Sequence, residues 1–288
     1  MKIINRKTKD INELHYDQSL IFLYHNFFGR IILKLLTRRF ISNIGGWYMN
    51  SSLSKKRIKK TITKYNIEMH EFEEKEFTSF NDFFLRRKKN LHFDLNKNHF
   101  VSPCDAKLLV IKLNKEASFD IKGSVYNLKN IIDYDLTDAY QDGYALIFRL
   151  AVDDYHHYHF IDDGKRDDYH HIKGIFHTVQ PIAYEKYPVF HQNTREYTVL
   201  HTENFGDVIE VEVGALMVGR ITNNQEKVSF KKGEEKGYFE FGGSTIMLFV
   251  QKNVVEFDND LLLNSLNGLE TIVSCGEKIG EKIGEKIK

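Results

Sequence analysis

Cysteine is scarce in this 288-residue chain, which has only Cys104 and Cys275. That excludes a disulfide framework and fits a reducing, cytosolic setting. Proline is scarce too, with 3 residues. Neither sign of charge dominates: the formal net charge is +1, so the chain as a whole gives no argument for a nucleic-acid partner. No apolar run reaches about 18 residues, so no segment reads as a bilayer span. Met1 to Glu13 is polar and lacks the apolar stretch of a signal peptide. The expectation is a soluble or surface-bound protein.

What is present is a large apolar and aromatic content. Hydrophobic residues make up 42%, with 22 Phe and 15 Tyr, enough for one large domain or a core plus a smaller appendage. Residues 16–64 read as helical. Leu20, Leu23, Tyr24, Phe27, Phe28, Ile31, Ile32 and Leu35 recur at helical spacing, and Asn26, Arg30, Lys34 and Arg38 form the opposite stripe. Ser54 is placed to cap a second helix. Between Arg30 and Lys64 there are ten Lys or Arg and no Asp or Glu. This pattern suits either an anionic membrane surface or an ordinary helix packed on the core with its charges solvated. Phe77 to Lys89 mixes aromatic and basic residues, a single short patch and weak ground for base stacking.

From about Phe100 the pattern becomes β. LLVIKL, YALIFRL, VIEVEVGALMVGRI and STIMLFVQ are short apolar or alternating runs between Gly, Asn and Asp clusters. No regular alternation with long helices follows, which argues against a doubly wound parallel sheet. The predicted class is α+β, with N-terminal amphipathic helices followed by a mostly antiparallel β core. The predicted organisation is a helical, membrane-associating region at 1–65, a β-rich catalytic core at 66–275 and a flexible tail at 276–288. The tail repeats GEKI, and glycine at every fourth position disfavours helix.

Three polar sites interrupt the β region: Ser102 to Lys107 (SPCDAK), Asp154 to His159 (DYHHYH) and Gly242 to Thr245 (GGST). A serine after two glycines at the head of an apolar strand sits where backbone strain is tolerated, although the same tetrapeptide also makes a plain turn. On an extended strand His157 and His159 share one face and His156 takes the other. The histidines suit a metal site, although no HExxH or ligand-spaced carboxylates accompany them. They equally suit Asp–His–Ser chemistry, in which an oriented imidazole activates a hydroxyl. Cys104 is a third candidate nucleophile, and a buried cysteine beside a turn is more often inert.

Taken in order, the motifs resemble one family, the phosphatidylserine decarboxylases. FNDFFLRR (Phe80 to Arg87), SPCDAKL, DYHHYH, FHQNTRE (Phe190 to Glu196), VEVGALMVGRI (Val211 to Ile221) and KKGEEKGYFEFGGST are each similar to a segment of that family. They occur in the family's order, and the resemblance runs over nearly the whole chain, from Asn5-Arg6-Lys7-Thr8 to the glycine-rich tail. Three positions depart from it: Ala106 stands where Gly is usual, His157 where Arg is common and Gly242 where Leu is frequent.

The resemblance implies a relay of Asp105, His159 and Ser244. His159, oriented by Asp105, takes the proton of Ser244, whose oxygen attacks the carbonyl of Gly243. Cleavage at Gly243–Ser244 then yields chains 1–243 and 244–288, which stay together as a heterodimer, and converts Ser244 into a pyruvoyl cofactor. That carbonyl forms a Schiff base with the serine amine of phosphatidylserine and serves as the electron sink for loss of carbon dioxide. The implied product is phosphatidylethanolamine. His156 is either a contact for the substrate carboxylate or proton, or a packed strand residue. No metal and no nucleic acid are implied. The implied partners are an anionic phospholipid and a membrane, with peripheral attachment at the cytoplasmic face. Decarboxylation of a soluble amino acid and a non-catalytic membrane-binding role are the alternatives.

Overall fold

The computed structural model describes residues 1–216, 220–242 and 244–284. Its centre is a large, mostly antiparallel sheet. From one edge to the other the strands run Ser229–Phe230, Gly164–Arg166, Arg195–Thr202, Gly206–Gly214, Ser244–Val250, Tyr144–Leu150, Ala106–Lys112, Leu269–Val273, Lys2–Asn5 and Ile11–Glu13, with His170–Ile172 also on Arg195–Thr202. The one parallel pairing among these joins Lys2–Asn5 to Leu269–Val273. The α+β class predicted from the sequence is what the chain adopts.

The central strands read as unbroken apolar runs because both faces are covered. Met247 and Phe249 point into one core with Ile147, Val211 and Tyr126. Ile246, Leu248 and Val250 point into the other with Phe148, Phe160 and Phe257. Every residue of Ser244–Val250 is buried. Each large apolar side chain placed this way contributes roughly 1.5–3 kcal/mol.

The stretch read as helical over 16–64 is divided into four helices rather than the two expected. It forms α1 (Gln18–His25), α2 (Phe27–Leu36), α3 (Arg39–Asn50) and α4 (Lys56–Tyr65). The axis bends by 99° between α1 and α2. Asn26 causes the break: its backbone is extended, and its Oδ1 accepts from the N–H groups of Phe28 and Gly29, capping α2. Gly29 permits the close turn, since a Cβ there would lie 1.9 Å from the Phe22 carbonyl oxygen. Ser54 does not cap α4. It lies in a 3₁₀ turn, where its Oγ donates toward the carbonyls of Met49 and Ser51 and accepts from Phe80 N–H. Among the described residues no single helix is long and apolar enough to cross a membrane.

Two further elements depart from the sequence reading. A hairpin, Lys2–Asn5 with Ile11–Glu13, precedes the helices and extends the main sheet. Within the 276–288 stretch expected to be a flexible tail, the described part forms the strand Lys278–Lys282, between Val255–Phe257 and His99–Val101, and residues 285–288 lie outside the described residues. Glycine serves close packing there: a Cβ on Gly280 would stand 2.9 Å from Val255 Cγ1.

A third cluster ties the helices to the polar sites. Met49 of α3 and Phe72 pack with Phe80, Phe83 and Phe84 of α5 (Phe80–Phe84) and with Tyr155. Ser79 starts α5 by accepting from Asp82 N–H at 3.1 Å.

Candidate active site

The basic end of the FNDFFLRR segment is absorbed internally. Arg86 is buried over the Phe72 and Phe83 rings and donates to the carbonyls of Asp153 and Asp154. Arg87 pairs with Glu235 at 2.8 Å. Arg86 therefore fixes the turn that leads into the histidine strand.

That turn is pinned from a second side. Lys107, next but one to Asp105, reaches Asp154 at 2.8 Å and Asp153 at 3.1 Å, and Asp154 also accepts from Ala151 N–H. The SPCDAK and DYHHYH segments are thus joined through a buried ion pair. A direct backbone bond, His159 N–H to Pro103 O at 2.9 Å, joins them again.

The strand His157–His159 has the predicted alternation. Tyr155, His157 and His159 share a face, with ring centroids 4.9 Å apart for Tyr155–His157 and 6.1 Å for Tyr155–His159. His157 lies between Leu85 O and Glu235 Oε2, 3.2 Å from each. Burial works against the Glu235 charge, but His157 and Arg87 hold its carboxyl down at about 2. His157 is therefore built into a structural ion-pair cluster.

His159 turns Nδ1 toward Cys275 Sγ, 3.4 Å away. The same sulfur lies 3.3 Å from Pro103 O, and Cys275 N–H donates to Asp105 Oδ1 at 2.8 Å. The other carboxylate oxygen of Asp105 meets Lys88 Nζ at 2.5 Å. Among the described residues no hydrogen bond runs directly between Asp105 and His159; Cys275 stands between them. Burial lowers the His159 pKa to about 4, so the imidazole is neutral at neutral pH. Burial pushes the Cys275 thiol well up, so it too is neutral.

Ser244 opens a central strand, opposite Gly214 on one side and Leu150 on the other. It is fully buried, and its Oγ has no hydrogen-bond partner among the described residues. Gly242, just upstream, has φ +145°, a conformation side-chain-bearing residues rarely adopt. Gly243, the other half of the predicted cleavage pair, lies outside the described residues.

His156 is fully buried and faces away from His157 and His159. Its ring lies on Phe84 with centroids 3.7 Å apart, and neither nitrogen has a partner among the described residues. Burial, reinforced by Arg86, drives its pKa well below the ordinary value. Phe84 also touches Phe241 at 5.3 Å, and Phe241 N–H donates to Asn81 Oδ1. His156 and the segment leading to Ser244 therefore flank one aromatic ring.

Cys104 is buried and its thiol is pushed well up by burial, the inert state expected of a packed cysteine. Among the described residues, the one trio able to converge on a metal is Glu68, His70 and Glu71, all exposed, which includes none of the strand histidines. Sequence reasoning missed Cys275, Lys88, Lys107 and Glu235. The spacing of SPCDAK and DYHHYH gave no hint of the contacts that tie them to these residues.

The family model described as phosphatidylserine decarboxylase matches residues 80–281, which span every element of this site. The chain belongs to the phosphatidylserine decarboxylase family. It is 46% identical over 280 residues to phosphatidylserine decarboxylase proenzyme 2 of Clostridium acetobutylicum, covering 94% of this chain and 96% of that one. It is 41% identical to the proenzyme of Clostridium botulinum, over 97% and 98% of the two chains. With the proenzyme of Clostridium tetani it shares 42% over 97% of each. Family membership makes it a carboxy-lyase.

Proposed function

We propose that this chain is a self-processing phosphatidylserine decarboxylase that cuts itself between Gly243 and Ser244. The observation that carries the reading is the buried, unpartnered Ser244 hydroxyl at the head of a fully buried strand. A polar atom left so costs about 1–3 kcal/mol and calls for a use.

In this reading His159 is the base. Nδ1 faces Cys275, which leaves Nε2 to take the Ser244 proton, directly or through a water. The oxygen attacks the Gly243 carbonyl carbon, the C–N bond breaks, and the proton passes to the freed amine, leaving an ester. Loss of the Ser244 α-proton then expels the Gly243 carboxylate. Water hydrolyses the resulting dehydroalanine to a pyruvoyl group and ammonia. Once formed, that group supplies an electrophilic carbonyl for the substrate amine and a sink for the electron pair left by carbon dioxide. In this reading His156, neutral and with both nitrogens unpartnered among the described residues, holds the substrate carboxylate or returns a proton.

The pairing of strands supports a stable two-chain product. Residues 244–284 would stay attached through Ser244–Val250, Leu269–Val273 and Lys278–Lys282, each paired with strands of the longer piece. Peripheral membrane attachment at the cytoplasmic face is part of the same proposal. Phe27, Phe28, Ile31, Ile32, Leu35, Phe40 and Trp47 of α2 and α3 are exposed beside Arg30, Lys34, Arg38 and Arg39.

Intact-mass measurement tests the processing. The wild type should give two chains divided at Gly243–Ser244, the smaller beginning in a pyruvoyl group, and Ser244→Ala should stay whole. A wild-type chain that remains whole when folded and lipid-bound overturns the reading.

A further inference from the structure

Beside α3 lies a cavity of about 560 Å³ whose lining includes none of Asp105, His156, His159 and Ser244. One wall is α3, with Arg39, Ser42, Gly46 and Trp47; the other is the sheet edge, with Lys173, Thr194 and Arg220. Arg220 has Glu240 at 3.8 Å. Glu196, which also lines the cavity, meets His171 at 3.3 Å and accepts from Asn223 Nδ2 at 3.0 Å. Three cations thus face two carboxylates, and among the described residues neither Arg39 nor Lys173 has a direct carboxylate partner. Ser42, 4% exposed, lines the same space, and its Oγ has no partner among the described residues. Two free cations and a buried hydroxyl are the donor set that receives a phosphate oxygen.

Its position gives the phosphate a source. Trp47, 75% exposed, stands at its rim on the apolar face of α3, so an occupant reaches it from a lipid surface. Inward, the Thr194 carbonyl accepts from Gly214 N–H, and Gly214 lies opposite Ser244. The wall strand is thus two strand spacings, about 10 Å, from the strand that Ser244 opens. That separation suits a glycerophosphoserine extended from the cavity to the serine.

We infer that this cavity binds the phosphodiester of an anionic glycerophospholipid, with Arg39 and Lys173 as its counter-charges and Ser42 as a neutral donor. The inference rests on the proposed lipid decarboxylation and assigns where that substrate is gripped. It makes Arg39 a substrate contact as well as part of a basic surface.

The test uses processed enzyme and a short-chain phosphatidylserine kept below its micelle concentration, so attraction to a surface does not enter. Arg39→Gln and Lys173→Gln should each raise KM roughly tenfold with little change in kcat, the loss of one charge-assisted hydrogen bond. Ser42→Ala should raise it a few-fold. Soluble glycerophosphoserine should compete in the wild type and lose that competition in the variants, while inorganic phosphate competes more weakly. Both cations are exposed, so appearance of the two chains checks the fold independently. A control, Lys56→Gln with Lys60→Gln on α4, removes the charge of two lysines away from the cavity and should leave KM in place. Unchanged KM in the cavity variants overturns the assignment, as does an equal rise in the control. If the wild type processes yet turns over no phosphatidylserine, the functional reading fails, not the cavity alone.

Discussion

Cys275 separates two residues that the sequence pairs directly: its Sγ lies 3.4 Å from His159 Nδ1, and its backbone N–H donates to Asp105 at 2.8 Å. With the thiol turned to Pro103 O, the sulfur accepts from His159 Nδ1–H. That fixes one tautomer and frees Nε2. In the proposed reading Asp105 acts on the imidazole through the position of Cys275, and Lys88 meets the carboxylate from the other side.

In the proposed processing, Cys275 is accordingly a positioning residue. Cys275→Ala should slow the appearance of the two chains about tenfold or more, because the imidazole loses its anchor. Cys275→Ser keeps a donor and an acceptor and should restore much of the rate. The measurement is a mass-spectrometric time course after refolding. Equal rates in Ala and Ser variants would reduce Cys275 to packing.

The acid limb of processing should be displaced. Burial lowers the His159 pKa from 6.5 to about 4, and a general base must be neutral. A lowered pKa carries the neutral form further into acid. The rate should therefore hold from about pH 7 to about pH 5 and fall with a midpoint near 4. A midpoint at or above the ordinary histidine value would mean that His159 is not the base.

The large sheet depends on a buried pair, Arg149 and Glu270, which face each other across the strand Ala106–Lys112. Arg149 Nε donates to Glu270 at 2.8 Å, and both side chains are buried. Glu270→Gln strands a buried guanidinium and should cost roughly 3–5 kcal/mol. Arg149→Met combined with Glu270→Leu removes both charges and should cost much less. Urea midpoints decide this, and equal midpoints for the two variants would contradict it.

The central strands were legible because a strand covered on both faces is apolar along most of its length, as in Ile246 to Val250 and Tyr144 to Phe148. The break at Asn26 was not, since apolar spacing continues through it and only the capping geometry reveals the bend. The GEKI repeat misled for a physical reason: glycine that disfavours helix equally permits the close approach of Gly280 to Val255. Gly276 does the same, where a Cβ would meet His92 O at 2.6 Å. Asp105, His156, His159 and Ser244 stood out as motif residues. Cys275 did not, because its contact with His159 spans 116 positions and a lone cysteine carries no pattern of its own.

The exposed aromatic face of α2 gives the membrane proposal a sharp form. Phe27 and Phe28 are 64% and 68% exposed and pack edge to face on each other, so their rings support no core. Deleting residues 1–64 would be a poor test, because it removes the sheet strand Lys2–Asn5 and Arg6, which bonds Asp258, Asp260 and Glu277. Phe27→Ser with Phe28→Ser leaves all of that in place. Burying one such ring in an apolar phase is worth roughly 1.5–3 kcal/mol, so the double variant should bind anionic vesicles at least tenfold more weakly in sedimentation. Its urea midpoint should match the wild type. Added salt should weaken the remaining binding, because Arg30, Lys34 and Arg38 then carry most of it. Binding unchanged by the substitutions would show that this face does not meet the lipid.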